Sequence, residues 1–561
     1  NAGTGTLLAD QMTLTGNTFT NQGTTQANNL ALNYAQLTNN GTLLGNSQLT
    51  VNASQVNQSA SGKLFSGGDL FVGATGMNAL GQVVALGNLT LQLADAFTAK
   101  TALAAGRNLN ISSNGAIDNQ SVMQGQAVNL SAGGQLTNNG QITTGNGSST
   151  LSGSTIVLNG NGSLQGGGDV TLLSRDAIAV NGFTGTRGSL TLSAPGNIVN
   201  TALLYAANNL ALYANTITNQ RGDMLAGNNL SMQRDAAGNA NSEVVNTSGN
   251  IETQSGDITI RTGHLLNQRD GLSVNSWIEP VTQPGAIQDK LYLSIKDFPV
   301  ESLKKNKLQF VPGDKDQIQK IASSVTHSSV NANGGAGGVV SGRDISIFAG
   351  ALDNKASRIL SARNIALYGT DLNNQSYQDG TVTAYYTYKY ASTTDTSRSK
   401  KVIDPSSSGY FIYELSGQTT EAVNGQSYRA VIQAGGNVTA NFSSNISNET
   451  TTSNAGGVSG TITVPSLNTL SNQGIGGSVA KQALAAGSAP VNSPQWQEQL
   501  QNALQQINGG GSLDNGTTAG TALSTVSVQQ KGSASLGDVG SLASDTDNKA
   551  ALKNKTNSGP G

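Results

Sequence analysis

The sequence contains no cysteine and has few aromatic and charged residues. Of its 561 residues, 4% are Phe, Trp or Tyr and 11% are charged, and the net charge is −2. Without cysteine the chain can form no disulfide, no cysteine-ligated metal site and no thiol nucleophile. So small a net charge gives no electrostatic basis for binding nucleic acid or a membrane surface. Because no apolar run reaches the roughly 18 residues of a membrane-spanning helix, no such helix is predicted.

The chain instead contains 70 glycines. It is built from a short repeat. Leu190, Leu210 and Leu230 stand 20 residues apart and begin near-copies of one segment. Such a period indicates stacked units that cover one another, because about 20 residues cannot enclose a core alone. The same apolar position recurs, with gaps of 19 to 23 residues, at Leu30, Leu49, Leu70, Leu89, Leu109, Val128, Leu151 and Val170, and later at Ile258, Ile345 and Ile365.

Each repeat contains short strands of alternating apolar residues, separated by turns of glycine and asparagine. We therefore predict an all-β fold, a right-handed parallel β-helix with about 20 residues per coil and strands about 4.8 Å apart. The alternatives, a β-sandwich or a propeller, would need longer strands and a period nearer to about forty. The pattern also predicts a ladder of stacked asparagines at one corner, formed by Asn39, Asn119, Asn138, Asn219 and Asn267 and continued by Asn354 and Asn374.

Changes in composition divide the chain into three predicted parts. Residues 1–277 carry the regular repeat, and we interpret them as a stalk. Because the chain begins in the middle of a repeat, we expect it to be an internal piece of a longer protein. The second part, 278–475, departs from the repeat, and the third, 476–561, is predicted to be a short helix and a flexible tail rich in Gly and Ser. Within the second part we predict an insertion at 278–337, resumed coils at 338–375, a tyrosine-rich insertion at 376–433 and last coils at 434–475.

Several local elements interrupt the repeat. Capping-box spacing followed by apolar residues on one face predicts a short helix from Asp314 to Val325, and a second helix is predicted at 493–507. The tyrosine-rich stretch 381–390 is predicted to form a hairpin with 409–415. One long coil has extra residues from Asp235 to Ser248, which predict a loop.

Aromatic residues are concentrated in the two insertions. Tyr and Trp give large, rigid and partly polar contact surfaces, so they are enriched where proteins bind one another. An equally good interpretation is that the rings form small cores of the insertions themselves. The candidate binding residues are Trp277, Tyr292, Phe298, Phe310, Tyr385, Tyr386, Tyr388, Tyr390, Tyr410, Phe411 and Tyr413.

The sequence offers little that indicates catalysis. Some parallel β-helices cleave polysaccharides, which requires carboxylates gathered on adjacent coils. The recurring Asp69, Asp169, Asp257 and Asp344 stand many predicted coils apart and are interpreted as turn residues. The two histidines, His264 and His327, are interpreted as lone surface imidazoles. We predict no enzyme activity, no catalytic or metal-binding residue and no cofactor.

The repeat unit, with Gly-Arg-Asn-Leu-Asn-Ile at 106–111 and Ile-Thr-Asn-Gln at 217–220, resembles the filamentous haemagglutinin repeat of two-partner-secreted proteins of Gram-negative bacteria. The order of a long array, an insertion and a tyrosine-rich stretch resembles contact-dependent growth inhibition effectors of the CdiA type. The resemblance covers 1–277 and returns at 342–375. It implies an extracellular filament at the cell surface, exported by an outer-membrane transporter.

The same resemblance implies a function for the second part. A receptor-binding region would recognise an outer-membrane protein or lipopolysaccharide of a neighbouring bacterium, so that a C-terminal toxin, not visible in this sequence, is delivered. Two alternatives stay open. The chain could be a haemagglutinin-like adhesin for host cells or biofilm, or, with a carboxylate cluster in a groove, a polysaccharide-cleaving β-helix. Neither nucleic acid nor a small-molecule substrate is expected as a partner.

Overall fold

The structure is a computed structural model that describes residues 1–282, 287–306, 309–394 and 409–450. These residues form a right-handed parallel β-helix from which a smaller antiparallel sheet extends. The repeat therefore predicted the fold class correctly. The helix predicted at 493–507, the predicted tail and the end of the last predicted coils lie outside the described residues.

The apolar column that defines the repeat is confirmed with one correction. Leu190 lies opposite Leu210, which lies opposite Leu230, and Ile258 lies opposite Ile345 across the first insertion. Leu151 does not belong to this column. It pairs with Leu130 and Leu172, which occupy the next inward-facing position of the strand. Ser149 takes its place, and its hydroxyl accepts the Val128 N–H at 2.9 Å. Because this position of the column is polar in one coil, the apolar period alone does not identify it.

Each coil contributes strands to three sheets, which one coil illustrates. Its strand 108–113 belongs to the first sheet, 117–119 to the second and 122–125 to the third. Alternate side chains of the three sheets point inward and join one continuous apolar core. Full burial of each leucine contributes about 1.5–3 kcal/mol, which the stacking supplies without any large globular core.

We call the stacked coils the shaft. Its strands, some of which run through more than one sheet, are β1 (Thr6–Asn21), β2 (Thr24–Asn39), β3 (Thr42–Gln58), β4 (Lys63–Ser66), β5 (Asp69–Ala79), β6 (Gln82–Ala85), β7 (Leu89–Leu93), β8 (Phe97–Ala99), β9 (Leu103–Ala105), β10 (Asn108–Ser113), β11 (Ile117–Asn119), β12 (Val122–Gly125), β13 (Ala127–Ala132), β14 (Leu136–Asn138), β15 (Gln141–Thr144), β16 (Ser149–Gly153), β17 (Ile156–Leu158), β18 (Ser163–Gly166), β19 (Val170–Ser174), β20 (Ala177–Val180), β21 (Phe183–Thr186), β22 (Leu190–Asn200), β23 (Leu203–Ala206), β24 (Leu210–Gln220), β25 (Asp223–Ala226), β26 (Leu230–Gln233), β27 (Asn241–Thr247), β28 (Asn250–Thr253) and β29 (Ile258–Gln268).

The chain leaves the shaft after β29 and returns to it twice. The shaft resumes with β35 (Gly338–Ser341), which pairs with β28, and after the second departure with β40 (Val431–Ala434), which pairs with β37 (Arg358–Ser361). Short 3₁₀ turns occupy Ile295–Asp297, Val300–Ser302 and Asp314–Asp316. The remaining strands are β30 (Ser273–Pro280), β31 (Lys290–Ser294), β32 (Leu303–Asn306), β33 (Gln309–Pro312), β34 (Ile318–Asn331), β35 (Gly338–Ser341), β36 (Ile345–Lys355), β37 (Arg358–Ser361), β38 (Ile365–Thr394), β39 (Tyr410–Tyr428), β40 (Val431–Ala434) and β41 (Val438–Thr450).

The predicted asparagine ladder is confirmed at one corner of the shaft. Asn219 is typical: its Nδ2 donates to the Gly222 carbonyl and to Asn246 Oδ1, each at 2.9 Å, and its Oδ1 accepts from Asn200 Nδ2 at 2.9 Å. These side chains are buried, and they satisfy backbone carbonyls of the turn that water cannot reach. Asn246 belongs to the ladder although sequence analysis placed it in a loop, because β27 pairs on both sides with coil strands.

A second ladder at another turn explains the recurring aspartates. The Asn88 N–H donates to Asp69 Oδ1 at 2.8 Å, and the Ser189 N–H donates to Asp169 Oδ1 at 2.9 Å. The interpretation of these aspartates as turn residues is therefore confirmed. Asp257 and Asp344 are not many coils apart, however: they stand on adjacent coils, since the whole first insertion lies between them.

The helix predicted from Asp314 to Val325 is wrong. Only Asp314–Asp316 forms a 3₁₀ turn, without a side-chain cap, and Ile318–Asn331 is the strand β34. This strand pairs with β30 on one side and β38 on the other. Hydrogen bonding to two neighbours, together with β-branched residues along the segment, outweighs a local capping pattern.

Candidate functional site

Five antiparallel strands form the part that departs from the shaft, in the order β30, β34, β38, β39 and β31. We call this the inserted sheet. The predicted hairpin is confirmed in it, because Tyr388 lies opposite Leu415 and Tyr390 opposite Tyr413. Strand β38 begins in the shaft and continues into the inserted sheet, so the sheet is covalently and continuously joined to the coils.

One row of side chains crosses a face of the inserted sheet. Trp277 lies opposite His327, which lies opposite Thr381, which lies opposite Val423. Both ends of the row are open to solvent, with Trp277 exposed by 46% and Val423 by 70%. An exposed tryptophan and an exposed valine thus stand at the two ends of one row, with His327 and Thr381 between them, and this row is a candidate contact surface.

A histidine fixes the tryptophan ring in this row. The rings of Trp277 and His327 stack with centroids 4.8 Å apart and an interplanar angle of 7°. His327 Nε2 lies 2.8 Å from Glu279 Oε2 on the neighbouring strand. The interpretation of His327 as a lone imidazole is therefore wrong, because strand pairing brings together residues that the sequence separates.

The edge strand β30 also exposes an apolar side chain on the opposite face of the sheet. Ile278 lies opposite Thr326, which lies opposite Val382, and the Ile278 side chain is exposed by 68%. Sequence analysis did not select Ile278 or Val423, because it searched for aromatic rings. For Ile278 the structure gives the reason: all residues of β30 are exposed, so an apolar residue on either face of that strand faces solvent.

Four of the aromatic candidates form a core of the inserted sheet instead of its surface. Phe310, Tyr388, Phe411 and Tyr413 are buried in a cluster of their own. The Tyr388 hydroxyl donates to the Gln288 carbonyl and the Tyr413 hydroxyl to the Asp316 carbonyl, each at 2.8 Å. Burial raises the pKa of Tyr413 to about 12. These four side chains cannot reach a partner while the cluster is closed.

The other aromatic candidates lie at or near the surface. Tyr292 and Tyr410 are exposed on adjoining strands. Tyr385 lies beside Lys320, whose Nζ is 5.8 Å from the ring centroid and 2.8 Å from Glu421. The rings that pack, partly buried, against the core cluster are Phe298, Tyr386 and Tyr390.

Polar contacts fasten the base of the inserted sheet to the shaft. Arg221 Nε lies 2.7 Å from Asp270, and Arg221 Nη2 donates to the Asn333 carbonyl at 2.9 Å. Arg269 Nε donates to the Ala356 carbonyl at 2.9 Å, and its guanidinium covers the Tyr428 ring at 5.1 Å. Residues on both sides of each insertion are thus held together where the chain leaves the coils.

His264 joins three coils at the same level of the shaft. Its Nδ1 lies 2.8 Å from Glu243 and its Nε2 lies 2.7 Å from Asp353. Partial burial by itself would lower the pKa of His264, but the hydrogen bonds to Glu243 and Asp353 raise it above its ordinary value of 6.5. The interpretation of His264 as a lone imidazole is therefore wrong, and the bridge links the coil before the first insertion to the coil after it.

The shaft carries a shallow depression of about 260 Å³ on the outward face of the first sheet. Uncharged side chains line it, including Thr90, Asn110, Asn129 and Thr150. Among the described residues, no three or more His, Asp or Glu side chains converge on a metal position. In that part of the chain, no helix has the length and apolar character needed to cross a bilayer.

Comparison with known proteins finds relatives along most of the chain. It is 41% identical over 495 residues to the tRNA nuclease CdiA of Escherichia coli (strain 536 / UPEC), a match that covers 81% of this chain and 15% of that protein. It is 35% identical over 562 residues to the deoxyribonuclease CdiA of Dickeya dadantii, covering 91% of this chain and 17% of that protein. The chain belongs to the CdiA family.

A third CdiA relative, the 16S rRNA endonuclease CdiA of Enterobacter cloacae, is 41% identical over 505 residues, covering 81% of this chain and 15% of that protein. The chain thus spans about a sixth of the length of these CdiA relatives. No protein-family model and no solved structure matches it. The resemblance to CdiA-type proteins that the repeat indicated is confirmed.

Proposed function

We propose that this chain is the stalk and receptor-recognition part of a contact-dependent growth inhibition effector. The inserted sheet would bind an outer-membrane protein or lipopolysaccharide of a neighbouring Gram-negative bacterium. The observation that carries the proposal is the pair of exposed apolar side chains, Trp277 and Val423, at the two ends of one row across the inserted sheet, together with exposed Ile278 on the other face of β30. Neither face is required to stack the coils, whose core is separate.

The shaft would hold this surface away from the producing cell. A parallel β-helix extends by about 4.8 Å per coil, so a stack of coils becomes a rigid spacer without needing a large core. We propose an extracellular location at the cell surface, after export of the longer protein through an outer-membrane two-partner secretion transporter. The proposed domain division, with a stalk at 1–277 and a receptor-binding region at 278–475, follows from this assignment.

We further propose that this part of the protein carries out no reaction. Three relatives that share this stretch are named for three activities, on tRNA, on 16S rRNA and on DNA. A region similar in all three is a poor candidate for the part that determines those activities. The uncharged lining of the depression on the shaft likewise lacks the carboxylates that polysaccharide cleavage uses. The toxin would lie elsewhere in the longer protein.

A binding assay with intact susceptible bacteria tests the proposal. The double variant Trp277→Ala with Val423→Thr should bind at least about tenfold more weakly than the unaltered chain, since central aromatic contacts dominate protein interfaces. Leu173→Thr, which changes an apolar side chain exposed by 42% on the shaft, is the matched control and should bind normally. Circular dichroism of both proteins verifies that the strands are retained.

The same assay separates the alternatives. Equal binding by the double variant and the control would refute the assignment of the open row. Binding that disappears after protease treatment of the bacteria indicates a protein receptor, and binding that persists indicates lipopolysaccharide. Binding to host cells but to no bacterium would identify an adhesin and refute the proposed function.

A further inference from the structure

The outward face of the third sheet differs from the rest of the shaft surface. In β23 the side chains of Leu204 and Ala206 join the core, so Leu203 and Tyr205 point outward. On the first sheet the outward positions are mostly polar, such as Thr171 and Thr191. On the third sheet the central outward position passes, coil by coil, through Leu44, Phe65, Val84, Ala104, Gln124, Thr143, Gln165, Gly185, Tyr205, Leu225, Glu252, Val340 and Leu360.

These outward side chains are buried. Tyr205 has 0% exposure, Phe65 has 4% and Leu225 has 1%. Leu173, which points outward from the first sheet, is exposed by 42%. We call these thirteen central outward positions the stripe. Eight of them carry apolar side chains, and leaving so many uncovered would be unfavourable at a soluble surface. Both composition and burial therefore indicate that this face is covered along the shaft.

Polar groups on the same face confirm that water is excluded from it. Arg358 is fully buried, and its guanidinium nitrogens have no hydrogen-bond partner among the residues that the structure describes. Within the same described part of the chain, the buried side-chain amide of Gln124 has none either. Burial lowers the pKa of Arg358 to about 10. A covering element would have to supply acceptors here, because an unsatisfied buried guanidinium is strongly unfavourable.

The described strands do not provide this cover. Strands of the third sheet pair with their counterparts in the adjacent coils, and the close contacts between described strands include none across the outward face of this sheet. The stripe from Leu44 to Leu360 extends over about 60 Å at about 4.8 Å per coil. The segment 395–408 could span at most about 48 Å when fully extended, and the segments 283–286 and 307–308 are shorter still.

The remaining part of the chain has the length and the chemistry to cover the stripe. Residues 451–561 follow β41 in the last described coil and could span several times the length of the stripe. They include apolar residues such as Ile462, Val464 and Leu467, which suit an apolar stripe. They also include Glu498, Asp514 and Asp538, whose carboxylates could pair with a guanidinium.

We propose that residues 451–561 run back along the shaft and cover the outward face of the third sheet. The chain would then reverse direction at the last coil and lead away from the inserted sheet, towards the coils at the N-terminal end. The third sheet would thus be an intramolecular docking surface, while the inserted sheet stays free for a partner. This inference does not depend on the proposed receptor function, but it assigns residues 451–475 to the returning segment and so ends the coils and the proposed receptor-binding region at 450.

Thiol labelling of the full chain tests whether the stripe is covered, and the absence of natural cysteine makes the readout clean. Gln124→Cys and Gln165→Cys place a thiol on the stripe, and Gln92→Cys places one on the exposed outward face of the first sheet. We expect a maleimide to react at least about tenfold more slowly at the two stripe positions, because local opening must precede labelling. Equal rates at all three positions would overturn the inference.

The identity of the cover is tested by cutting and by cross-linking. After cleavage at a protease site placed following residue 450 and removal of the released segment, labelling at 124 and 165 should accelerate to the rate at 92. Unchanged slow labelling would show that something else covers the stripe. A photo-reactive phenylalanine at position 65 should cross-link to peptides from 451–561 of the same chain. Cross-links between isotope-labelled and unlabelled chains would indicate a second copy instead and would overturn the proposal.

Discussion

In the shaft a side chain meets its own counterpart from the next coil, whereas in the inserted sheet it meets an unlike residue. Leu190, Leu210 and Leu230 stack on one another, while Trp277 faces His327 and then Thr381. Repetition lets the shaft be stabilised by small residues and by ladders of identical hydrogen bonds. A varied surface that can recognise one partner requires a region free of the repeat.

The two regions also differ in how they exclude water. The shaft has one continuous core through its coils, and the inserted sheet has a separate aromatic cluster around Tyr388, Phe411 and Tyr413. Separate cores allow the inserted sheet to vary without disturbing the shaft. If the two cores are independent, a substitution in one should leave the stability of the other unchanged.

The largest expected effect comes from opening the aromatic cluster. Phe411→Ala should lower the free energy of unfolding of the inserted sheet by about 3–5 kcal/mol, because it leaves a cavity in a small core. Hydrogen exchange should show lost protection in β34, β38 and β39 and unchanged protection in coils such as β24. The neighbouring exposed change Tyr410→Ala should have little effect. Loss of protection in the coils as well would show that the two cores are coupled.

Breaking the asparagine ladder should affect the shaft alone. Asn219→Ala removes hydrogen bonds to Asn246 and Gly222 and takes from the buried Asn200 amide the shortest of its hydrogen bonds, so it should destabilise the local coils by about 2–3 kcal/mol. Asn209→Ala, at the outer turn ladder, removes similar bonds where water can replace them and should cost less. Hydrogen exchange of the flanking coils measures the loss of stability in each variant. Equal losses in the two variants would show that burial does not increase the contribution of these hydrogen bonds.

The His264 bridge should make stability depend on pH. Because the folded-state pKa of His264 is raised above 6.5, the bridge contributes fully below that pH and is lost as the pH rises through the higher folded pKa. His264→Gln should therefore destabilise the protein more at pH about 6 than at pH about 9. Urea unfolding at the two pH values measures this difference, and NMR titration measures the pKa directly. A pKa at or below 6.5 would contradict the assignment.

The smallest effect is expected at the surface pair between Arg343 and Asp257. The hydrogen bond from Arg343 lowers the pKa of Asp257, so its contribution is present at neutral pH and is lost as the pH falls through that lowered value. Arg343→Gln should shift the unfolding midpoint less than Asn219→Ala does, and 1 M salt should reduce the shift further. A salt-independent shift would indicate a packing effect instead of an ionic one.

The period of the apolar residues was sufficient to predict the β-helix and most of the asparagine ladder. These features are local and repeated, so each coil supplies the same information again. Leu151 was placed in the wrong column and Asn246 was missed, because an inserted or polar residue interrupts the pattern there. Which rings face solvent could not be predicted, because Trp277 and Phe411 both lie in strands of the inserted sheet and only the packing of that sheet exposes one and buries the other.

The sequence by itself determined the stacked coils, because a side-chain pattern that recurs at one interval has a single way to bury its apolar residues. Tertiary structure alone decided the neighbours that arise across the insertions. Asp257 meets Arg343, His264 meets Asp353 and Trp277 meets His327 only because antiparallel and coil pairing bring distant segments together. Such contacts carry no local signal, since their partners are separated by the very segments that leave the shaft.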